Sequence, residues 1–347
     1  MKGMRFLDRR GRRLTLAVAV VALAAVTTTV AAGAQTDRTT QQANQQGKVK
    51  AVAFFGFAAA NSFAQATWAG VKQAAKQAGV QAKFFDPNFN AQTQVSQIQD
   101  AITSGRYQAF VVQANDGNSV IPVLKQAVKA HIAVVAEFTP IGSNYASLKP
   151  PIAGVSFVGE APVHNGVELG KLGISACKGV NPCNVAYLEG FKTLPLDNAR
   201  TAAVKKTLAT AKNVKLVADV EGGYTAAEGL KAAQDVLQAH SDVNVMIGSS
   251  QAIEGAVQAV KSAGKLGKIK LIGNGGSCQA VAGVKNGTWF ATYALPEKTS
   301  GFKAAQLAIQ AGNGKKIPVS FNTDQLANPL LTKSVLAKTK FKAQYCD

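Results

Sequence analysis

From Val49 onward, short runs rich in Val, Ile and Phe alternate with longer segments whose small and apolar residues follow a helical period. Residues 63–78, for example, place Ala64, Trp68 and Val71 at i, i+4 and i+7, and Gly79 follows as a stop signal. Strands separated by helices of this length are typical of βαβ units. The pattern therefore predicts parallel sheets that are covered by helices on both faces.

Two series of such units are predicted, separated by a Pro-, Gly- and Ser-rich passage at residues 139–154. The predicted strands are 50–55, 81–85, 109–113, 133–137, 155–158, 184–189, 215–220, 243–248 and 270–273. The predicted helices are 63–78, 91–104, 119–130, 165–176, 197–211, 226–239 and 252–262. The chain is thus expected to form two similar α/β halves, in which ligands bind beyond the carboxyl ends of the strands.

The turns that follow the strands are rich in uncharged polar, aromatic and glycine residues. They cover residues 56–63, 113–119, 137–140, 189–198, 222–225, 248–251 and 274–279. Amides offer donors and acceptors to hydroxyl groups, and aromatic rings cover the apolar faces of a ligand. This chemistry fits a small hydroxyl-rich solute. Asn, Gly and Ser also occupy turns and helix caps for local reasons, so both interpretations stay open at each position.

The first 34 residues have the three-part layout of a secretory signal peptide. Six basic residues precede an apolar run from Leu14 to Val30, and Ala32-Gly33-Ala34 follows as a cleavage pattern. An uncleaved anchor is the alternative, although about 20 apolar residues are needed to span a bilayer. No cysteine precedes Cys177, which argues against a lipoprotein. Residues 35–47, rich in Gln and Thr, are predicted to be a flexible linker. We therefore expect an exported protein that is periplasmic, extracellular or at the cell surface.

The formal net charge is +19, and it falls to +14 when the first 34 residues are left out. Such a charge could attract anionic wall polymers, lipid or nucleic acid. The lysines, however, are spread along the predicted helices, without an Arg-rich block or basic residues interleaved with aromatic ones. We therefore expect no nucleic-acid partner.

Four cysteines occur in the chain, and an even number in an exported protein favours disulfides. Three pairings are possible. Cys177 is expected to pair with its neighbour Cys183, which leaves Cys278 for Cys346. A zinc site is the competing interpretation, but no CxxC or His-rich spacing supports it.

Enzymatic chemistry finds little support in the sequence. The chain has three histidines, His131, His164 and His240, and none shows spacing suited to a metal or a nucleophile. The glycine-rich stretch 273–277 lacks the lysine and the glycine spacing of phosphate-binding loops. We therefore expect no catalytic residue, no metal and no cofactor.

Five stretches of the chain, taken in their order and spacing, resemble a known family. They are Asn61-Ser62-Phe63; Asp86-Pro87-Asn88-Phe89-Asn90 with Gln94, Ile98 and Gln99-Asp100-Ala101-Ile102; Gln113-Ala114-Asn115-Asp116; Tyr187-Leu188-Glu189-Gly190; and Ile272-Gly273-Asn274-Gly275-Gly276. Over residues 48–347 the chain is similar to the type I periplasmic binding proteins, in the ribose-binding-like (sugar-binding) branch of ABC-importer receptors.

The resemblance implies an α/β protein with two doubly wound parallel-sheet (Rossmann-like) lobes joined by a three-crossing hinge. Lobe 1 would comprise residues 48–158 plus 295–323, and lobe 2 residues 159–294 plus 324–347. The protein would be a monomer whose lobes close over a small polar solute and whose closed form docks on an ABC permease in the membrane. The implied ligand-binding residues are Asn61, Phe63, Gln113, Glu137, Phe138, Asn198, Arg200, Tyr224, Ser250, Gln251, Asn274 and Tyr293, with Gly275 as an alternative to Asn274.

The chain departs from this branch at three pairs of adjacent positions. Sugar binders of the branch often have Asp-Arg in place of Glu137-Phe138, Asn-Asp in place of Ser250-Gln251, and Phe-Asp in place of Asn274-Gly275. Charged groups make hydrogen bonds to hydroxyls about twice as strong as neutral groups do. A solute with fewer hydroxyls than an ordinary aldose is therefore expected, such as a deoxy sugar, a polyol or a ring-bearing alcohol or amide. Glu137 also leaves room for an amine-bearing one.

Two rival functions share this fold. A sensor receptor would present its closed form to a membrane signalling protein, and the sequence does not separate it from a transport receptor. A sugar-responsive transcription regulator would need an N-terminal DNA-binding segment of about 50 to 60 residues, where this chain has a predicted export signal and linker.

Overall fold

The computed structural model describes residues 48–326 and 329–347. The predicted signal peptide, 1–34, and linker, 35–47, lie outside these residues. Within the described ranges, no helix is both long and apolar enough to span a membrane.

Twelve strands and ten α-helices are described in the two ranges. The strands are β1 (Ala51–Phe55), β2 (Gln81–Phe85), β3 (Ala109–Val112), β4 (Ala133–Glu137), β5 (Val155–Gly159), β6 (Cys183–Glu189), β7 (Val214–Glu221), β8 (Val245–Ser249), β9 (Lys270–Gly275), β10 (Ala291–Ala294), β11 (Ser320–Asn322) and β12 (Leu330–Thr332). The helices are α1 (Ser62–Ala78), α2 (Ala91–Ser104), α3 (Ile121–Lys129), α4 (Pro162–Ala176), α5 (Pro195–Leu208), α6 (Ala226–Ala239), α7 (Ser250–Ser262), α8 (Cys278–Asn286), α9 (Glu297–Gly312) and α10 (Lys333–Lys338).

The strands form two six-stranded sheets, one in each lobe. The first sheet has the order β11-β5-β4-β3-β1-β2 and the second has the order β12-β10-β9-β8-β6-β7. All neighbours are parallel except β10 and β12, which are antiparallel. The central strands β1 and β3 are fully buried, as expected for a parallel sheet covered on both faces. The predicted fold class, two parallel-sheet α/β lobes, is confirmed.

The chain passes between the two sheets three times, from β5 to α4, from β10 to α9 and from β11 to β12. These passages are the hinge crossings that the sequence resemblance implied. The exact lobe boundaries stay a prediction.

The residues at the helix ends explain why some predicted helix bounds agree with the structure and others differ. Asn61 caps α1, since its Oδ1 accepts a hydrogen bond from the backbone N of Ala64 at 2.9 Å, and Gly79 ends the helix at φ 67°. Helix α4 begins at Pro162, three residues earlier than predicted, because proline suits the first helical turn. The elements after Gly275 were not predicted.

Glycines bring two pairs of helices into close contact. A Cβ atom at Gly70 of α1 would lie 2.0 Å from the carbonyl oxygen of Lys298 in α9. A Cβ at Gly255 of α7 would lie 2.0 Å from the carbonyl oxygen of Ala226 in α6. Any larger residue would push each pair apart.

Two disulfides are present, and they pair the cysteines as expected from the sequence. Cys177 is bonded to Cys183 and Cys278 is bonded to Cys346. The first closes a short loop between α4 and β6, and the second ties residues near the end of the chain to the first turn of α8. Both therefore lie within the second lobe.

Candidate ligand-binding cleft

A cavity lies between the lobes, with about 680 Å³ of space that is free of protein atoms and includes its opening to solvent. The lining residues are Phe57, Asn61, Phe63, Phe89, Ala114, Asn115, Phe138, Tyr187, Gly190, Leu194, Leu196, Arg200, Tyr224, Gly248, Ser249, Gln251, Asn274 and Leu295. Most of them follow the carboxyl ends of strands in the two sheets, as the sequence predicted.

Aromatic rings form the first-lobe wall. Phe138 makes edge-to-face contacts with Phe63, at 4.8 Å between ring centroids, and with Phe57, at 6.0 Å. Across the cleft, Phe89 lies 5.2 Å from Phe191 and stacks 6.1 Å from Tyr224 of the second lobe. The rings of the two lobes touch, so the structure represents a closed cleft.

Two of these phenylalanines have a left-handed backbone, with φ of 59° at Phe89 and 60° at Phe138. This conformation is unfavourable for a bulky residue and costs roughly 1–3 kcal/mol. Backbone hydrogen bonds hold both in place: the N–H of Phe89 donates to the Phe57 carbonyl at 2.8 Å, and that of Phe138 to the Val158 carbonyl at 2.9 Å. Strained residues of this kind cluster at ligand sites, and here both rings line the cavity.

The second-lobe wall contains a buried ion pair. Arg200 Nη1 lies 2.8 Å from Asp197 Oδ1, and both side chains are buried. Asp197 also accepts hydrogen bonds from the Tyr224 hydroxyl at 2.6 Å and from the Phe191 N–H at 2.9 Å. Burial raises the pKa of Asp197, while Arg200 acts in the opposite direction. The pair leaves Arg200 Nε buried without a hydrogen-bond partner among the described residues.

The amides of the cavity differ in how much hydrogen-bonding capacity remains free. Asn274 and Asn165 use each other's side-chain N–H and C=O groups at 3.0 Å, and Gln251 Nε2 donates to Ser62 Oγ at 3.0 Å. In Asn115, by contrast, Nδ2 and Oδ1 are both buried and have no partner in the described chain. A free donor and acceptor on one amide, in the same cavity as the free Arg200 Nε, match the needs of ligand hydroxyl groups.

The family model for the periplasmic binding protein domain matches residues 52–316. The chain belongs to this family. It is 28% identical to the D-ribose/D-allose-binding protein of Pseudomonas aeruginosa, over 52% of the chain and 55% of that protein. It is also 26% identical to the D-xylose-binding periplasmic protein of Escherichia coli, over 66% of the chain and 68% of that protein. The chain thus matches little more than half the length of the Pseudomonas protein.

Among solved structures, an ABC transporter solute-binding protein from Mycobacterium smegmatis with bound glycerol superposes with a TM-score of 0.73. It is 22% identical, and the match covers 87% of this chain and all of that one. This similarity shows the fold of the periplasmic binding protein. The curated relatives confirm the sugar-binding branch that was inferred from the sequence, and as binding proteins they agree with the expectation that the chain is not an enzyme.

Seven of the twelve predicted ligand-binding residues line the cavity of this periplasmic binding protein. They are Asn61, Phe63, Phe138, Arg200, Tyr224, Gln251 and Asn274. The remaining five lie elsewhere, for reasons of local geometry.

Two of those five are in the first lobe, behind the aromatic wall. Gln113 Nε2 donates to Thr67 Oγ1 at 2.9 Å, and Glu137 Oε1 accepts a hydrogen bond from Ser300. Successive residues at the end of a strand point to opposite sides. The side chains of Gln113 and Glu137 therefore face the helix layer, while Phe138 reaches the cavity.

The other three are in the second lobe. Asn198 is exposed and donates to the Lys192 carbonyl at 3.0 Å, because it lies on the opposite face of α5 from Arg200. Ser250 is buried in the first turn of α7, close to Gly275. Tyr293 lies in the hinge, where its hydroxyl is within hydrogen-bond distance of Glu160 and Asp324.

Sequence reasoning missed several lining residues, among them Phe57, Phe89, Asn115, Tyr187 and Ser249. Phe89 and Asn115 stand in stretches that carried the family resemblance, so the signal for them was present. The left-handed backbone that turns Phe89 into the cavity has no such signal in the sequence.

Burial favours the protonated form of the carboxyl groups behind the first-lobe wall. Burial raises the pKa of Glu137 to about 7 and raises that of Glu297 well above its ordinary value. Thr67 donates to Glu297 Oε2 at 3.2 Å and accepts from Gln113, so it connects the two sides of this cluster. Burial therefore reduces the negative charge that this cluster places behind the wall.

Proposed function

We propose that the protein is an extracytoplasmic solute-binding protein of an ABC importer that captures a small, neutral, polar solute by hinge closure. The solute class is a sugar, deoxy sugar or polyol. The observation that carries the proposal is the closed cavity, in which Asn115 of the first lobe and Arg200 Nε of the second keep free hydrogen-bonding groups beside a wall of phenylalanine rings. A ring with a few hydroxyls and an apolar face satisfies both features.

Neutrality of the solute follows from the charges around the cavity. Among the described residues that line the cavity, the one cationic side chain is Arg200, and it is already paired with Asp197. No carboxyl group is among the described residues that line the cavity. Behind the first-lobe wall, Glu137 accepts a hydrogen bond from Ser300, and burial raises its pKa to about 7. An amine-bearing solute therefore has no ionised partner in that wall.

The same proposal includes three further points. The protein is exported, it is a monomer and not a lipoprotein, and its closed form docks on a membrane permease. They are supported by the predicted signal peptide and by the names of relatives as periplasmic binding proteins. Deletion of a neighbouring permease gene should abolish uptake of the solute but leave binding by the purified protein intact. Normal uptake in that strain would favour the sensor-receptor alternative.

The direct test is a thermal-shift panel of sugars, deoxy sugars, polyols, amines and amino acids, using protein refolded from denaturant to remove any bound solute. A ligand at 100 times its Kd adds about 2.7 kcal/mol, which should raise the melting temperature by roughly 5–10 °C. The shift should be confined to neutral hydroxylated compounds. It should be lost in Asn115→Ala and retained in Asn198→Ala, whose side chain is exposed outside the cavity. A shift with amines or amino acids only would contradict the proposal.

A further inference from the structure

Residues 344–347 lie beside the cleft and are anchored to the second lobe. Cys346 is bonded to Cys278 at the start of α8. The N–H of Cys278 donates to the Tyr345 carbonyl at 2.9 Å. The side chain of Gln279 bonds both the N–H and the carbonyl of Asp347, at 3.0 and 2.7 Å. One covalent bond and three hydrogen bonds therefore fix this short segment to α8.

The same segment makes hydrogen bonds to the first lobe. Ser62 Oγ, at the start of α1, donates to Asp347 Oδ1 at 3.0 Å. Gln344 makes two hydrogen bonds to Thr299 of α9: its Oε1 accepts from the backbone N–H at 2.9 Å, and its Nε2 donates to Oγ1 at 2.8 Å. Because α1 and α9 pack on the first sheet, these three bonds cross from one lobe to the other.

The segment also contacts residues of the cavity wall. The ring of the buried Tyr345 meets Phe63 edge to face, with 6.0 Å between centroids. Ser62 Oγ, which donates to Asp347, accepts a hydrogen bond from Gln251 Nε2 at 3.0 Å. Phe63 and Gln251 line the cavity from opposite lobes. The position of the segment is thus coupled to the closed arrangement of the cleft.

We propose that residues 344–347 form a disulfide-anchored clasp that holds the first lobe against the second independently of the solute. The inference rests on the proposed hinge closure and goes beyond it, since the three bonds to Ser62 and Thr299 need no ligand. Opening of the cleft must break them, whereas the bonds to α8 move with the second lobe. The disulfide makes the clasp effective because it keeps the segment ordered in the open state, so that closure does not have to order it.

The test measures the distance between the lobes in ligand-free, refolded protein. Spin labels on noncanonical amino acids at two exposed positions, Gln92 of α2 and Lys231 of α6, leave all four cysteines intact. Double electron–electron resonance then gives the populations of open and closed forms. In C278S/C346S the ratio of open to closed protein should rise about tenfold, since each net hydrogen bond changes an equilibrium severalfold.

The matched control is C177S/C183S, which removes the other second-lobe disulfide and makes no contact with the clasp. It should leave the distance distribution unchanged. Ser62→Ala and Gln344→Ala keep both disulfides and should each shift the population in the same direction by a smaller factor. They keep the test valid if C278S/C346S folds poorly. A wild-type distribution in Ser62→Ala and Gln344→Ala, or in folded C278S/C346S, would overturn the clasp.

Addition of D-ribose, D-xylose or myo-inositol to the same labelled proteins separates the clasp from the proposed function. If the clasp variants open but none of these compounds closes them, the clasp is supported and the assignment of a sugar or polyol solute fails. If a compound closes every variant and the ligand-free populations are all alike, the solute proposal is supported and the clasp is rejected.

Discussion

The two lobes present walls of different chemistry to the same cleft. The first-lobe wall consists of four phenylalanine rings with two asparagines, and its buried acids, Glu137 and Glu297, lie behind that wall. The second-lobe wall holds its buried acid, Asp197, next to the cavity and pairs it with Arg200. The comparison shows two ways to keep a cleft close to neutral. In one lobe burial favours the protonated form of the carboxyl groups, and in the other a guanidinium neutralises the carboxylate.

The largest effect is expected from breaking the second-lobe pair. Arg200→Leu leaves Asp197 buried without its cation, which should lower the free energy of unfolding by about 3–5 kcal/mol. Urea denaturation measures this change, with the exposed Arg106→Leu as the control at less than about 0.5 kcal/mol. The double variant Arg200→Leu/Asp197→Asn should recover part of the loss. Equal stability of the single and double variants would show that the lost charge pairing is not the cause.

The first-lobe acids should respond to pH instead. The pKa of Glu137 is raised from 4.5 to about 7 in the folded protein, so its contribution to stability is complete below about pH 4.5 and is lost as the pH rises through about 7. The expected slope is about 1.4 kcal/mol per pH unit within that window.

Glu137→Gln should flatten this part of the stability curve, measured by urea denaturation between pH 4 and 8. Asp100→Asn, an exposed substitution in the same lobe, should leave the slope unchanged. A wild-type slope in Glu137→Gln would assign the pH dependence to other groups.

An intermediate effect is expected where the walls touch. Phe89→Ala removes contacts with Phe191 and Tyr224 that add about 0.5–1.5 kcal/mol each. Solute release, followed by stopped-flow dilution, should become roughly tenfold faster. As a control, Phe85→Ala removes a ring that packs on Phe55 and Tyr107 within the first lobe. It should lower the free energy of unfolding without changing the rate of solute release.

The smallest effect is expected in the second-lobe amide pair. Asn274→Ala leaves the buried Asn165 without its two hydrogen bonds, and a double-mutant cycle of the two positions should give a coupling of about 1 kcal/mol. Solute affinity should change less than about threefold, because the Asn274 amide is occupied by its partner. A larger loss of affinity would mean that the pair separates to meet the solute.

The sequence predicted the sheets and most helices because their signals are local and periodic. It also indicated Asn61, which lines the cavity although its side-chain Oδ1 caps α1; its role in ligand binding stays a prediction. It did not separate Glu137 from Phe138, since one residue of register decides which side chain faces the cavity. It did not separate Gln113 from Asn115 either, because both follow the end of β3, where the alternation of strand side chains no longer holds. The clasp could not be foreseen either, because Asp347 and Ser62 are 285 positions apart and their contact depends on the closed lobes.

Because α1 and α9 are in close contact, we expect these two helices to rotate together when the hinge bends. Gly70 lets the two helices pack without a gap, and α9 starts directly after the hinge residue Pro296. Ser62 lies about 12 Å along α1 from that contact, and a rotation of about 10° there would move it by about 2 Å. A small rotation at the hinge therefore displaces Ser62, at the mouth of the cleft, far enough to make or break a hydrogen bond.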